Sequence, residues 1–570
     1  MPQIELPFTE ESKADKHEDG FFQCSLFKML PETAQEASRR CPYLLEYLHM
    51  VPVAEVGIPQ YHTKLSRKMS DIINPNIIYP VADRIFTHIY PDTHDGRNTY
   101  ISIEPVLTQN LDDLMIELEK RLLNMGNRLN EMHDDEEKKK AFIKCIDESF
   151  TTKPYRKSSF KLYRNREQIL VTNRQIEGLK YLIVRDKIGL GILESMVHDP
   201  YVEDISCSGL GTIFIEHKIF HSLKTIVDFS TIEELDEFVL RLSERIKKPV
   251  SFRNPIVDAT LPDGSRINIV YGRDISKRGS NFSIRKFSDV PMSAIELIEM
   301  GTLDYSMAAY LSIVIGEGMN VFVSGETASG KTTTLNALTT FIHPNAKVVS
   351  IEDTPELQVP HKNWIREVVQ TTKAESDSEV TMFDLLKAAL RQRPNEIIVG
   401  EIRGPEGNVA FQAMQTGHSV MATFHAASVE KLIQRLTGNP IDIPKAYLDN
   451  LNVVVIQSAV KLPSGKTGRR VLSINEIVGF DTEKQSFSFV EIFRWNAVND
   501  TFDFTGDMNS YLLEQKIAVK LGIPSNKKKR IYLELNRRAE ILERLHKEQG
   551  VTGFYELLQV LAKAQREGLF

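Results

Sequence analysis

The run VFVSGETASGKTTTLNAL, Val321 to Leu338, decides the fold. An apolar stretch leads into a loop built around Gly325 and Gly330, and a lysine followed by three threonines opens a helix behind it. Gly325 to Thr332 fits GxxxxGK[ST], with the strand before and the helix after that this phosphate-binding loop (Walker A) requires. The glycines let backbone N–H groups curl toward phosphate oxygens, and the helix N-terminus adds the positive end of its dipole. In this pattern Lys331 reaches the β- and γ-phosphates and Thr332 binds Mg²⁺. The candidate nucleotide contacts are Gly325, Thr327, Ser329, Gly330, Lys331, Thr332 and Thr333.

Around this loop, residues 290 to about 480 alternate strands and helices: VVSIED, a helix from Thr381 to Arg391, EIIVGEIRG, another helix, then SVMATFHA. Apolar strands separated by helices predict a parallel sheet covered on both faces. A phosphate loop needs an acidic group at a neighbouring strand end. Gly400 stands where many such proteins place an aspartate, and Glu401 follows it, so Glu401 is cast as the group that polarises the attacking water. Glu352 and Asp353 end a second apolar strand; an acid there serves equally well as a helix cap, although both strand ends open onto one crevice. Glu352 is a second candidate for the metal, directly or through water. His418 and His425 flank SVMATFHA, a spacing poor for a metal, with His425 the better placed to read a γ-phosphate.

Upstream, residues 156 to 289 read as helices followed by short strands: YVEDISCSG and TIFIEHKIF around Gly209 and Gly211, then LPDGSRINIV with an Asp263-Gly264 turn, then NFSIRKF. Arg266 and Arg285 fall on the polar face of their strands, opposite Ile267, Ile269, Phe282 and Ile284. Residues 1 to 155 form a mixed N-terminal region. Leu111, Leu114, Met115, Leu118, Leu122 and Leu129 stripe one side of a packing helix there, and DDEEKKK reads as solvated surface. The tail from 506 is helical, with Ile531, Leu535, Ile541, Leu542 and Leu545 marking an apolar side beside KKKR.

The 570 residues predict three to four domains. With 42% hydrophobic and 26% charged residues and a net charge of -7, the chain is an ordinary globular sequence without a global attraction to nucleic acid. Cys24, Cys41, Cys145 and Cys207 form no CxxC pair, so neither a zinc site nor a disulfide framework is encoded and a reducing compartment fits. The N-terminus lacks the charge and apolar pattern of a signal peptide, and no run approaches the ~18 apolar residues of a membrane span, so any membrane association is peripheral.

Taken in order, GETASGKTTTLNAL, SIEDTPEL, LRQRPNEIIVGEIRG and TGHSVMATFHA resemble the ATPases of the type II and type IV secretion superfamily, with DPYVEDIS and RPNEIIVGEIRG closest to its archaeal branch. The likeness reaches from about 155 to 480. It implies a cytoplasmic homo-hexameric ring in which a PAS-like α/β domain (156–289) hinges on a RecA-like α/β motor domain (290–505), with ATP between them. The extra N-terminal region (1–155) would carry partner specificity beside a helical tail (506–570). It further implies that Arg266 and Arg285 act on the phosphates like arginine fingers, that Glu401 is the catalytic glutamate of an atypical Walker B, that Glu352 belongs to the acidic box, and that His418 and His425 form the histidine box. The partner implied is a polytopic platform protein at the cytoplasmic face of the membrane, serving a pilus, archaellum or secretion system. KLPSGKTGRRVLSINEIVGF has no cysteine, which argues against the zinc-bearing bacterial assembly subtype. A DNA-translocating RecA-like ring is the rival reading, disfavoured by the acidic balance and the lack of aromatic-basic clusters. A switch GTPase would need an NKxD motif, which the sequence lacks.

Overall fold

The computed structural model describes residues 3–4, 6–8, 22, 24–92, 96–123, 134–152, 168–261, 263–286, 290–369, 380–481 and 486–570. The chain separates into two compact units, Met1–Phe287 and Ser288–Phe570. The expected boundaries at 155/156 and 289/290 rest on residues 155, 156 and 289, which lie outside the described residues.

In the first unit an eleven-stranded sheet starts at the edge strand Ile256–Thr260. It passes through Arg266–Val270, Asn281–Arg285, Val202–Cys207, Gly211–His217 and His221–Phe229, and continues through Thr99–Ile103, Ile85–Tyr90, Ile77–Ala82 and Gln60–Tyr61, while the eleventh strand, Gln3–Ile4, pairs antiparallel with His221–Phe229 off this path. The strands of the first 155 residues therefore share a sheet with those that follow, through a parallel pairing of Thr99–Ile103 with His221–Phe229. A buried polar cluster fastens the join. The Tyr79 and Tyr100 hydroxyls donate to Asp199 Oδ2 at 2.6 and 2.9 Å, and the Tyr201 amide donates to Asp199 Oδ1 at 2.8 Å. Three donors satisfy a carboxyl whose pKa burial pushes up, so the cluster is tolerated in the interior. Leu111, Met115, Leu118 and Leu122 are buried along the helix Asp112–Leu123, with Leu114 packed against their cluster; Leu129 lies outside the described residues. Asp134 caps a further helix, Asp135–Ser149, whose acidic first turn faces water.

The second unit is built on a nine-stranded sheet. Six parallel strands come in the order Trp364–Val368, Val348–Glu352, Glu396–Val399, Ser419–Phe424, Val321–Gly325 and Val453–Lys461. Three antiparallel strands, Thr467–Asp481, Ser486–Asn496 and Thr501–Phe504, extend it. Val321 and Val323 enter one core and Phe322 the other, so a strand buried on both faces reads as a continuous apolar run. The helix Tyr305–Gly316, apolar all round, lies within the first core, while Met382–Gln392 and Glu406–Gln415 cover the second. The tail joins this core: Leu535 and Leu542 of Ile531–Lys547, and Leu557 and Leu561 of Phe554–Arg566, pack into the same cluster as Val321 and Val323.

Candidate active site

The phosphate loop leaves the sheet at Gly325, which pairs in register with Gln457 of the neighbouring parallel strand. A Cβ at Gly325 would lie 2.1 Å from the Gln457 carbonyl oxygen, so only glycine lets the two strand ends approach. The loop then turns back through two left-handed residues, Ala328 at φ 61° and Gly330 at φ 91°. Glycine adopts this backbone freely; for Ala328 it is strained, and strain of this kind gathers where a loop is held for a ligand. Two donors fix the curl. Ser329 Oγ and Lys331 Nζ both donate to the Glu326 carbonyl, at 2.9 and 2.8 Å. Lys331 opens the helix Lys331–Leu338, so its ammonium group and the helix N-terminus face the same concavity. Burial pulls the Lys331 pKa down, with the nearby Glu401 opposing it.

A chain of charged groups runs from this lysine. His425, just beyond the strand Ser419–Phe424, places Nδ1 3.4 Å from Lys331 Nζ and Nε2 2.9 Å from Glu401 Oε1. Burial lowers the His425 pKa, so the ring is neutral and its Nδ1 can accept from Lys331. Glu401 Oε2 accepts from Arg403 Nη2 at 2.5 Å, and Arg403 reaches on to Asp353 at 4.0 Å. Glu401 Oε1 is buried yet receives no well-directed hydrogen bond among the described residues. A carboxylate oxygen with an open lone pair beside a lysine can accept a proton from a water.

Glu352 is differently placed. It ends the strand Val348–Glu352 almost wholly buried, its Oε1 accepts the Glu356 and Leu357 amides at 2.8 and 2.7 Å, and its Oε2 lies 3.4 Å from Arg366 Nε. Burial pushes its pKa up to about 7. Both oxygens are engaged by the protein, so this carboxylate fits a metal only at second hand, through water. It also accounts for Gly400: a Cβ there would meet the Glu352 Cγ at 3.2 Å, so a bulkier acid in the aspartate position is crowded out. The Thr332 hydroxyl has no protein partner among the described residues and fits direct metal contact.

His418 is not brought into this cluster. It precedes the strand Ser419–Phe424, about 20 Å of extended chain from His425, and its Nδ1 lies 3.1 Å from the Thr416 hydroxyl. In the first unit, Arg266 and Arg285 stand opposite each other on adjacent strands. Both project from the exposed face, where Asp258 and Asp204 lie 3.5 Å from their respective Nε atoms. Three loop contacts escape the sequence reading. Arg403 follows Glu401 by two residues; Arg469 Nε donates to the Ala328 carbonyl at 3.2 Å; Gln457 Oε1 accepts from the Thr334 hydroxyl at 2.7 Å. Only Gln457 carries a readable signal, a polar residue interrupting the apolar strand VVVIQS.

Residues 186–483 match the family described as type II/IV secretion system protein. The chain belongs to this ATPase family. Among similar proteins, MJ0900 of Methanocaldococcus jannaschii is 43% identical over 548 residues, 94% of this chain and 97% of that one. The type IV secretion system protein PtlH homolog of Bordetella bronchiseptica is 30% identical over 231 residues, 36% of this chain and 68% of that one. The crystal structure of the pilus retraction motor PilT with bound ADP aligns with 66% of this chain and 92% of its own, at 18% identity and a TM-score of 0.37. Within the matched span the phosphate loop is set between parallel strands, as described above. No helix among the described residues is long and apolar enough to cross a membrane.

Proposed function

We propose that this chain is an Mg²⁺-dependent ATPase motor, working as a cytoplasmic homo-hexameric ring docked peripherally at a polytopic membrane platform protein. It drives assembly of an archaeal type IV pilus-like filament, an archaellum or a type II-like secretion system, and nucleic acid is not its substrate. The observation that carries this reading is the run of groups from Lys331 through His425 and Glu401 to Arg403 beside the phosphate loop. Lys331 and the loop amides hold the β- and γ-phosphates. Glu401 orients the attacking water and takes its proton, and Arg403 holds the carboxylate in place. His425 touches both Lys331 and Glu401 and so couples the occupied phosphate site to the base. Bound Mg²⁺, held by Thr332 and reached by Glu352 through water, would supply charge neutralisation at the phosphate oxygens. Arg266 and Arg285 add positive charge in the closed state of the hinge, as arginine fingers do. Opening and closing of that hinge turns phosphate contacts into movement of the platform.

The test is ATP hydrolysis by the purified chain as a function of its own concentration, with single-stranded DNA or lipid vesicles added in parallel. Specific activity should rise with concentration and ignore DNA; stimulation by DNA would reinstate the translocase reading. Glu401→Gln should keep ATP binding and lower kcat by about 10² to 10⁴. Wild-type turnover in that variant would sink the assignment.

A further inference from the structure

The surface around KKKR is left unused by the nucleotide chemistry. In a chain of net charge -7, the nineteen residues from Gln515 to Leu533 contain six cations, Lys516, Lys520, Lys527, Lys528, Lys529 and Arg530, and no Asp or Glu. They fold together: the turn Ser525–Arg530 packs against Ala518–Lys520 and runs straight into the helix Ile531–Lys547. Some of the charge is already engaged. Lys520 Nζ lies 3.1 Å from Glu317 Oε2, Lys528 Nζ donates to Gln515 Oε1 at 2.6 Å, and Lys516 Nζ stands 5.9 Å from the centre of the Tyr511 ring. Lys527, Lys529 and Arg530 are exposed and have no acidic partner among the described residues. Beside them three aliphatic side chains face water, Val519 at 57%, Leu521 at 49% and Leu533 at 68% exposure. Their neighbours Ile517, Ala518, Ile531 and Tyr532 are buried, so the segment spends one side on the core and presents the other.

We infer that this cationic and aliphatic surface, Lys516 to Leu533, docks on an anionic lipid headgroup layer. The inference deepens the peripheral membrane association proposed above and rests on it. Unpaired cations draw the surface to anionic headgroups, and exposed aliphatic side chains gain by entering the boundary below them. Each signal alone is weak, and the two together make a stable anchor. Single-stranded nucleic acid would call for aromatic platforms among the cations; the aromatic in the stretch, Tyr532, is buried at 2% exposure.

The experiment is co-sedimentation of the full chain with vesicles of phosphatidylcholine alone or mixed with phosphatidylglycerol, across a salt series, beside binding to a fluorescent single-stranded DNA. ATP hydrolysis without lipid is measured on every sample. The wild-type chain should bind the mixed vesicles, weakly bind the neutral ones, and release as salt rises. The triple variant Lys527→Gln, Lys529→Gln, Arg530→Gln should lose mixed-vesicle partitioning on the order of a hundredfold. The double variant Leu521→Gln, Leu533→Gln should bind less tightly at every salt concentration. Both should hydrolyse ATP as the wild type does. Equal vesicle binding by wild type and triple variant would move the contact elsewhere on the chain and overturn the inference while leaving membrane association standing. No vesicle binding by an active wild-type enzyme would overturn both, and tight DNA binding lost in the triple variant would reassign the surface to nucleic acid.

Discussion

Glu352 carries a charge that its surroundings resist. It sits at the end of a fully buried strand, with two amides and one guanidinium as compensation, and burial still wins, moving its pKa from the ordinary 4.5 to about 7. Because the folded value lies above the unfolded one, the protonated form favours folding. That contribution is fully present below 4.5 and is lost as pH rises through about 7. The shift corresponds to at most ~3 kcal/mol. Glu352→Gln keeps an amide-accepting oxygen and cannot ionise. Thermal melts should therefore show the variant gaining on the wild type steadily from pH 5 to pH 8. A stability difference that stays flat across that range would mean the carboxylate is well compensated. The two carboxylates of the site thus have different environments: Glu352 is bound up with the protein, and Glu401 keeps one oxygen open beside Lys331. Sequence alone placed both at strand ends, with Glu401 as the water-polarising group and Glu352 as a cap or metal candidate; which amides and arginines fold back onto each is settled only by the fold.

At the scale of elements, the pairing of Val348–Glu352 with Glu396–Val399 decides what position 400 tolerates. The Gly400 amide donates to the Ile351 carbonyl at 2.9 Å, which draws its Cα against the Glu352 stem. Gly400→Asp, which restores the commoner acid of phosphate-loop proteins, should crowd that stem and set a second carboxylate beside a buried one. The expected cost is about 1 to 3 kcal/mol for the overpacking, read as a lower urea midpoint with the slope unchanged. A variant as stable as the wild type would show that Glu352 can swing aside. Four of the six parallel strands were legible because each is an apolar run bounded by a loop signal, as in VFVSG and EIIVG; the edge strand Trp364–Val368, which carries Arg366 and Glu367, and Val453–Lys461 were not read. Nor was the antiparallel extension 467–504. Its strands are half exposed, and register shifts at Ile456/Gln457 and Ile474/Asn475 break the alternation that would announce them. Arg469 went unread for the same reason, since it reaches Ala328 only once its strand is paired beside Val453–Lys461.

At the scale of the whole molecule, local pattern says least about which segments share a core. The first 155 residues read in sequence as a region apart, yet Thr99 and Tyr100 pair with Lys224 and Thr225, more than a hundred residues on. The tail reads as an appendage, yet Leu557 and Leu561 are buried with Val321 and Val323 of the phosphate-loop strand. Burying such side chains stabilises by ~1.5 to 3 kcal/mol each, against a typical net stability of about 5 to 15 kcal/mol. Leu557→Ala should therefore cost about 2 to 5 kcal/mol, lower the melting temperature of the second unit, and weaken ATP binding only as far as the folded fraction falls. Differential scanning calorimetry with and without ATP separates the two effects. A lowered melting point with ATP affinity intact in the folded fraction would establish the tail as part of the core of the second unit. An unchanged melting point would make the tail a separable element, with its cationic surface free to act apart from that core.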